Sequence, residues 1–189
     1  MKLANITSVF RGKLIAGTYT GWVNNYRIRI LDIGCGTGVV GHELMKTFSF
    51  RKLVGCDIEN YLLVDIPFTK LRSLNKLPFK NKEFDVAMFN DVLHHTSFNN
   101  QKALINESLR VATNTLLFEL KPTWLGKRLD LLINKIHNPR MNIPFTYRKP
   151  EEWEKLFKNM DLKYELKTVK SPFWYPFSHI AYKISSKGI

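Results

Sequence analysis

The stretch ILDIGCGTGVVGHEL, residues 30–44, constrains the fold of this chain more than any other segment. An apolar run ends at Asp32, glycines follow at positions 34, 36 and 38, and apolar residues then recur at helical spacing. The pattern predicts a strand that turns through glycines into a helix. In an open parallel sheet, ligands bind at such a turn, because glycines expose the backbone and the helix start offers free N–H groups. Three closely spaced glycines also occur in turns that bind no ligand, so the flanking residues must show whether this turn binds one and which kind.

Strands and helices alternate along the rest of the chain. The predicted strands are 27–34, 52–58, 84–90, 114–121, 162–169 and 180–184, and the predicted helices are 39–48, 99–112, 124–136 and 150–159. This alternation predicts a mostly parallel sheet covered by helices on both faces, with the last two strands as a hairpin or an edge pair.

Two segments are expected to contain little helix. Glycines at 12, 17 and 21 predict only short helices in an N-terminal flap, residues 1–26. Only 27 residues separate Asp57 from Asp85, and prolines at 67 and 78 break that interval. The second crossover helix is therefore expected to be absent or shortened to about two turns near residues 59–64.

Length and charge bound the class of protein. The 189 residues suit one domain, divided into the flap, a cofactor-binding core (27–121), an acceptor-covering lid (122–149) and a C-terminal helix with strands (150–189). Two cysteines in predicted core elements and the lack of a long apolar run predict a cytoplasmic protein. The net charge of +13 favours an anionic partner, either nucleic acid or acidic lipid, or reflects only a solvated basic surface.

Asp32 and Asp57 narrow the ligand of the glycine turn. A carboxylate directly before the glycines would repel a phosphate and suits a ligand with an ammonium group, which argues against a dinucleotide. Asp57 ends the next predicted strand, where a carboxylate can accept both ribose hydroxyls of a nucleoside, and Ile58 beside it can cover an adenine. The alternative for Asp57 is a helix cap.

The segments ILDIGCGTG, GCDI, LPFKNKEFDVAMFNDVLHH and LFELKP together resemble the class I S-adenosylmethionine-dependent methyltransferases, in their small-molecule branch. The resemblance implies a Rossmann-like three-layer α/β sandwich with a seven-stranded sheet and an antiparallel edge strand. It also implies S-adenosyl-L-methionine as cofactor, with its methionine part wrapped by the turn, its ribose on Asp57 and its adenine near the segment before LPF. The implied cofactor-binding residues are Asp32, Gly34, Cys35, Gly36, Gly38, Asp57, Ile58, Ser73, Leu74, Asn75 and Asn90.

The adenine segment departs from the family pattern at Ser73. The family commonly has an aspartate there, which accepts the adenine amino group. A hydroxyl accepts that bond less strongly, and Asn75 or the Leu74 backbone N–H is expected to compensate. Cofactor affinity, rather than cofactor identity, is affected.

The residues that follow the strand at 84–90 are expected to lie beside the acceptor. Asp91, His94 and His95 are the candidate catalytic residues, because an imidazole can take a proton near neutral pH. The alternative is that both histidines only pack against or cap the next helix. The other histidines are scattered and no cysteine pair has ligand spacing, so the sequence predicts no metal site.

The lid carries the candidate acceptor-binding residues Trp124, Tyr147 and Arg148. Its helix, residues 124–136, has an apolar face and many basic residues, and either covers the core or lies on an anionic membrane. The leading hypothesis is methyl transfer to a small-molecule or lipid-like acceptor by a cytoplasmic enzyme, with peripheral membrane contact. The alternatives are an RNA methyltransferase and a non-catalytic scaffold that keeps the cofactor fold, and the oligomeric state stays open.

Overall fold

A computed structural model describes residues 2–23, 27–137 and 144–187. Seven strands and five helices follow one another in these ranges, with a short 3₁₀ helix at Leu93–His95. The strands are β1 (Arg29–Ile33), β2 (Lys52–Asp57), β3 (Phe68–Lys70), β4 (Phe84–Asn90), β5 (Ala112–Leu120), β6 (Leu162–Thr168) and β7 (His179–Ser186). The helices are α1 (Lys2–Tyr19), α2 (Val39–Thr47), α3 (Phe98–Val111), α4 (Trp124–His137) and α5 (Pro150–Asn159).

The strands form one sheet in the order β3-β2-β1-β4-β5-β7-β6. β3, β2, β1, β4 and β5 are parallel, whereas β7 pairs antiparallel with both β5 and β6. The expected Rossmann-like, mostly parallel seven-stranded sheet is confirmed, with the antiparallel strand one position in from the β6 edge. The carboxyl ends of β1, β2, β4 and β5 consequently lie along the same edge.

The two faces of the sheet are buried under different helices. Alternate strand residues point to opposite faces, so Val86 and Met88 of β4 pack with α1 and α2, whereas Ala87 and Phe89 pack with α3 and α5. Because a strand buried on both faces has no polar side, its sequence is a continuous apolar run. That is the pattern of VAMF in β4.

The N-terminal segment differs from the sequence expectation. α1 is one helix of 18 residues, so the prediction that glycines 12 and 17 limit it to short helices is wrong. Ile15 and Tyr19 are fully buried in the same apolar cluster as α2, and this packing offsets the roughly 1 kcal/mol that each glycine costs a helix. Gly12 is also the contact point, since a Cβ there would lie 2.7 Å from Cβ of Glu43 on α2.

The interval after β2 confirms the shortened crossover. Residues 58–67 are all described and contain no helix, and they lead directly into the three-residue strand β3. This extended segment lies against the glycine turn, because Leu63 N–H donates to Thr37 O at 2.9 Å. A Cβ on Gly38 would come within 3.0 Å of Leu62, Val64 and Ile66. The short segment thus covers one side of the turn.

The two glycines of α1 give opposite predictions for stability. We expect Gly12→Ala to lower the free energy of unfolding by about 1–2 kcal/mol, because its methyl group would separate α1 from α2. Gly17→Ala meets no atom within 4 Å and should raise stability by about 0.5–1 kcal/mol through helix propensity alone. Urea denaturation of both variants measures the difference, and equal effects of the two substitutions would contradict the tight helix contact.

Candidate active site

The glycine turn is built from left-handed backbone. Gly34, Gly36 and Gly38 have φ values of 72°, 51° and 73°, a region that other residues rarely adopt. Gly34 N–H donates to Cys56 O of β2 at 2.8 Å and Cys35 N–H donates to the same oxygen at 3.2 Å, so the turn is tied to the neighbouring strand. Gly34 also has no room for a side chain, because its Cβ would lie 2.5 Å from Val92.

Gly36 differs from the other two glycines because the space beside it is open. No atom lies within 4 Å of the position that its Cβ would occupy. Its N–H donates to Oδ2 of Asp57 at 2.9 Å, and Oδ1 of the same carboxylate accepts the Ile58 N–H at 2.7 Å. Burial raises the pKa of Asp57, although both backbone donors act against that rise. An open glycine beside a half-buried carboxylate and the exposed Ile58 fits a nucleoside that uses Asp57 for its ribose.

Asp32 is buried beside the turn and belongs to a chain of hydrogen bonds. Its side chain is 2% exposed, and Oδ1 accepts the Asn90 Nδ2–H at 3.2 Å. Oδ1 of Asn90 in turn accepts the hydroxyl hydrogen of Tyr19 at 3.0 Å. Burial raises the pKa of Asp32 to about 7, with the Asn90 bond acting in the opposite direction. This chain of hydrogen bonds joins α1, β1 and β4 directly beneath the site.

The predicted adenine segment lies at the surface of the described structure. Ser73 and Asn75 are exposed, and Leu74 is half-buried against the apolar cluster of α3 and α5. The Ser73 hydroxyl accepts the Asn75 N–H at 3.1 Å, which bends the chain at this point. The Ser73 oxygen is therefore already used locally, in keeping with its weaker expected bond to an adenine.

Asp91 starts a charged cluster where β4 ends. It has a φ of 58°, a strained conformation for a non-glycine residue, and such strain is typical of functional sites. Its Oδ1 lies 3.2 Å from His179 Nε2 of β7, and its Oδ2 accepts from Nη1 of Arg11 of α1 at 3.4 Å. Burial alone would raise the pKa of Asp91, but the charges of His179 and Arg11 hold it below its ordinary value.

His94 and His95 meet the lid helix at Asp130. The buried ring of His94 lies with Nδ1 2.8 Å from Oε2 of Glu119 at the end of β5, and with Nε2 3.3 Å from Oδ2 of Asp130. The same Oδ2 lies 3.8 Å from His95 Nε2 and accepts the Tyr147 hydroxyl at 2.7 Å. Burial lowers the pKa of His94, but the two carboxylates outweigh it and raise the pKa to about 10. Two histidines that are adjacent in sequence thus share one carboxylate from α4.

The lid helix α4 contacts the protein through small and polar residues. Gly126, Asp130 and Asn134, spaced four residues apart, are buried or half-buried, as is Leu129. Most of the other apolar residues are exposed: Trp124 is 68% exposed, Leu132 55% and Ile136 69%. The helix therefore does not cover the core with most of its apolar residues. Residues 138–143 of the predicted lid lie outside the described residues.

The three candidate acceptor-binding residues lie in different surroundings. Trp124 stacks under Arg128 at 4.4 Å, and Tyr147 stacks on the His94 ring at 5.2 Å. Arg148 instead donates through Nε to Gln101 of α3 at 2.6 Å and lies over Phe98. An open cavity of about 370 Å³ beside α4 is lined by Trp124, Lys127, Arg128, Leu131, Phe145 and Tyr147.

Five residues of the site escaped sequence analysis. The five are Arg11, Tyr19, Glu119, Asp130 and His179. All five lie outside the glycine turn, and only Glu119 belongs to a quoted motif, LFELKP, in which no role was assigned to it. The only available signal was placement at an element end: Glu119 near the carboxyl end of β5 and His179 at the start of β7 reach the edge where β4 ends.

Residues 31–115 of the chain match the family model described as "Methyltransferase domain". No curated protein sequence matches the chain. The matched residues extend from β1 into β5 and include the glycine turn, Asp57 and the two histidines after β4.

Solved structures share the fold along nearly the whole chain. A chain of the complex between the Haloferax volcanii Trm112 methyltransferase activator and a putative methyltransferase has TM-score 0.72 and 12% identity, over 98% of this chain and 94% of that one. The PH0226 protein from Pyrococcus horikoshii has TM-score 0.71 and 18% identity, over 94% and 90%. The magnesium protoporphyrin IX methyltransferase from Synechocystis, solved with bound SAH, has TM-score 0.65 and 17% identity, over 97% and 86%.

Asp32 makes stability depend on pH. Because its pKa is about 7 in the folded state and close to 4 in an unfolded chain, the stability that its protonated form contributes is complete below about pH 4 and is lost as pH rises through 7. Asn at this position stays neutral. We therefore expect the difference in unfolding free energy, Asp32→Asn minus wild type, to increase by roughly 3–4 kcal/mol from pH 4 to pH 8. Urea denaturation at each pH tests this, and a pH-independent difference would refute the buried neutral carboxyl.

Proposed function

We propose that this chain, whose residues 31–115 match a methyltransferase-domain model, transfers a methyl group from S-adenosylmethionine to a small lipid-like acceptor at the surface of an anionic membrane. The proposal rests on the exposed surface of α4, where apolar and basic residues lie together next to the acceptor side of the site. None of the helices in the described ranges has the length and apolar character needed to span a bilayer. Contact with a membrane is therefore proposed as peripheral.

Residues at the ends of β1 and β2 are proposed to hold the cofactor. S-adenosylmethionine, when bound, supplies an electrophilic methyl group. The open backbone at Gly36 accommodates the cofactor beside the turn, Asp57 accepts from its ribose hydroxyls, and Ile58 covers the adenine. Asp32 and Asn90 lie beneath the turn and fix its conformation, while the remaining adenine contacts fall to Ser73, Leu74 and Asn75.

Residues that follow β4 are proposed to handle the acceptor. Methyl transfer by in-line displacement requires mainly that the acceptor be positioned and water excluded. Asp91, fixed by Arg11 and His179, lies where the acceptor approaches and orients its polar end. His95 is only partly exposed, and its Nε2 has no hydrogen-bond partner among the described residues, so it is the group able to take an acceptor proton.

The surface of α4 suits an anionic membrane. Lys127, Arg128 and Lys135 are exposed on the same helix as Trp124 and Ile136, which is the composition of a helix that lies in a membrane interface. Phe173 and Trp174, between β6 and β7, add two further exposed aromatic side chains. A lipid-like acceptor suits this surface, since such an acceptor would lie in the membrane that α4 contacts.

A second candidate, methylation of RNA, is favoured by the net charge of +13. A basic surface binds RNA through its phosphates with a steep dependence on salt. Strong, steeply salt-dependent retention on RNA together with weak binding to anionic vesicles would support this candidate over the first.

Gly36→Ala is expected to weaken cofactor binding, with a stability loss that comes from the backbone alone. The added methyl group meets no protein atom but projects into the space proposed for the cofactor. The left-handed backbone costs about 1–2 kcal/mol of stability. Calorimetric titration with S-adenosylhomocysteine should show at least tenfold weaker binding, an effect of about 1.4 kcal/mol or more. Gly17→Ala is the matched control, and unchanged affinity in Gly36→Ala would place the cofactor elsewhere.

Removal of charge from α4 is expected to weaken membrane binding selectively. We expect replacement of Lys127, Arg128 and Lys135 by Gln to reduce affinity for phosphatidylserine-containing vesicles by about 100-fold, because each surface charge contributes about 1 kcal/mol. Replacement of three other exposed lysines by Gln removes the same charge elsewhere, and this control should retain most of the affinity; the three are Lys76, Lys80 and Lys158. Sedimentation with vesicles measures both, and equal losses would contradict a specific role of α4.

A further inference from the structure

His94 is held in the orientation that a metal-binding histidine requires. Its side chain is 3% exposed, and its Nδ1 lies 2.8 Å from a carboxylate oxygen of Glu119. A carboxylate partner on one ring nitrogen fixes the tautomer so that the lone pair lies on the other nitrogen, and metal-ligating histidines almost always have such a partner. Glu119 is itself fixed, since its Oε1 accepts the backbone N–H groups of Val92 and Leu93 at 3.1 and 2.8 Å.

The free nitrogens of His94 and His95 face one carboxylate. Nε2 of His94 and Nε2 of His95 are both buried and make no hydrogen bond among the described residues. They lie 3.3 and 3.8 Å from Oδ2 of Asp130, and the three atoms are all within 4.8 Å of one another. A buried, unpartnered polar atom is costly, so two of them directed at one point indicate an occupant.

We propose that His94, His95 and Asp130 bind a divalent transition metal ion of the Zn²⁺ type. Two imidazoles and one carboxylate are a ligand set that zinc uses when a fourth position stays open. Ligand atoms about 2.0–2.1 Å from a tetrahedral ion are separated by about 3.3 Å, which is the observed distance between His94 and Asp130. His95 needs a shift of a few tenths of an ångström to reach the same separation.

The remaining donors around the site are compatible with an ion. The Tyr147 hydroxyl donates to Oδ2 of Asp130 at 2.7 Å and Asn134 Nδ2–H donates to Oδ1 at 3.0 Å. Both orient the carboxylate, as groups beyond the metal ligands commonly do. The alternative to a metal ion is a protonated His94, whose positive charge attracts both Glu119 and Asp130. Such a proton would leave Nε2 of His95 without a partner, whereas an ion engages both histidines.

An ion at this place would join the lid helix to the acceptor side of the site. His94 and His95 follow β4, whereas Asp130 belongs to α4, so the three ligands connect two elements that sequence separates by 35 residues. Three protein ligands leave one position for water or for an oxygen of the acceptor. With an ion bound, Nε2 of His95 is a ligand and no longer free to take a proton, so a metal-bound hydroxide would take the acceptor proton in its place. Only that last role rests on the proposed function, because metal binding itself requires neither cofactor nor acceptor.

Titration with Zn²⁺ tests the site directly. The untagged full chain, freed of metal with a chelator, is titrated calorimetrically with ZnCl₂, and we expect saturable binding of one ion. His95→Ala and Asp130→Asn should each weaken that binding at least tenfold. Glu119→Gln keeps the bonds from Val92 and Leu93 but weakens the carboxylate contact to His94, and should cost 10–100-fold in affinity.

His42→Ala is the matched control, because His42 is a histidine of α2 away from the site. It should leave Zn²⁺ affinity unchanged. Co²⁺ in place of Zn²⁺ should give the strong visible absorption of a tetrahedral site, which His95→Ala abolishes. The absence of saturable binding by the wild type, or equal affinity in folded His95→Ala, would overturn the proposal. S-adenosylhomocysteine binding, measured on the same samples, reports on the proposed function separately.

Discussion

The parallel pairing of β2, β1, β4 and β5 brings the functional residues of this protein together. Parallel neighbours bring their carboxyl ends to one edge, so Ile33 lies opposite Cys56 and Asn90 lies opposite Phe118. The glycine turn, Asp57, the residues after β4 and Glu119 meet there although up to 85 residues separate them. No side chain has to reach far, and each element contributes its terminal residues to the same crevice.

A buried hydrogen-bond chain makes this edge rigid. Tyr19, Asn90 and Asp32 are all nearly inaccessible to solvent, and each finds a partner in the next. Buried polar groups are costly when unpaired, and movement of α1 away from the sheet would leave Oδ1 of Asn90 without its partner, the Tyr19 hydroxyl. The N-terminal helix is therefore part of the site's foundation, which explains why a segment rich in glycine forms one long helix against α2.

Features that depend on residues close together in the sequence were predicted correctly. Features that depend on contacts between residues far apart in the sequence were not. The strand–turn–helix at residues 30–44, the Pro150 helix start and the missing crossover helix follow from glycine, proline and apolar spacing, which act over a few residues. The length of α1 depends on tertiary packing of Ile15 and Tyr19, which overrides the cost of its glycines. The partnership of Asp130 with His94 and His95 has no sequence signal, because it arises from the way α4 lies across the end of β4. The outward direction of Leu132 and Ile136 was likewise undecidable, since helical spacing shows a face but not what the face meets.

We propose that the open backbone at Gly36 and the carboxylate of Asp57 form the cofactor site. The amide NMR spectrum of the full chain, recorded during titration with S-adenosylhomocysteine, tests this proposal. We expect the largest chemical-shift changes at the Gly34, Gly36 and Ile58 amides, with Gly36 altered because Asp57 exchanges its bond to that N–H for bonds to the ribose. Saturable binding that leaves these three amides unchanged and shifts amides on another part of the surface would contradict it.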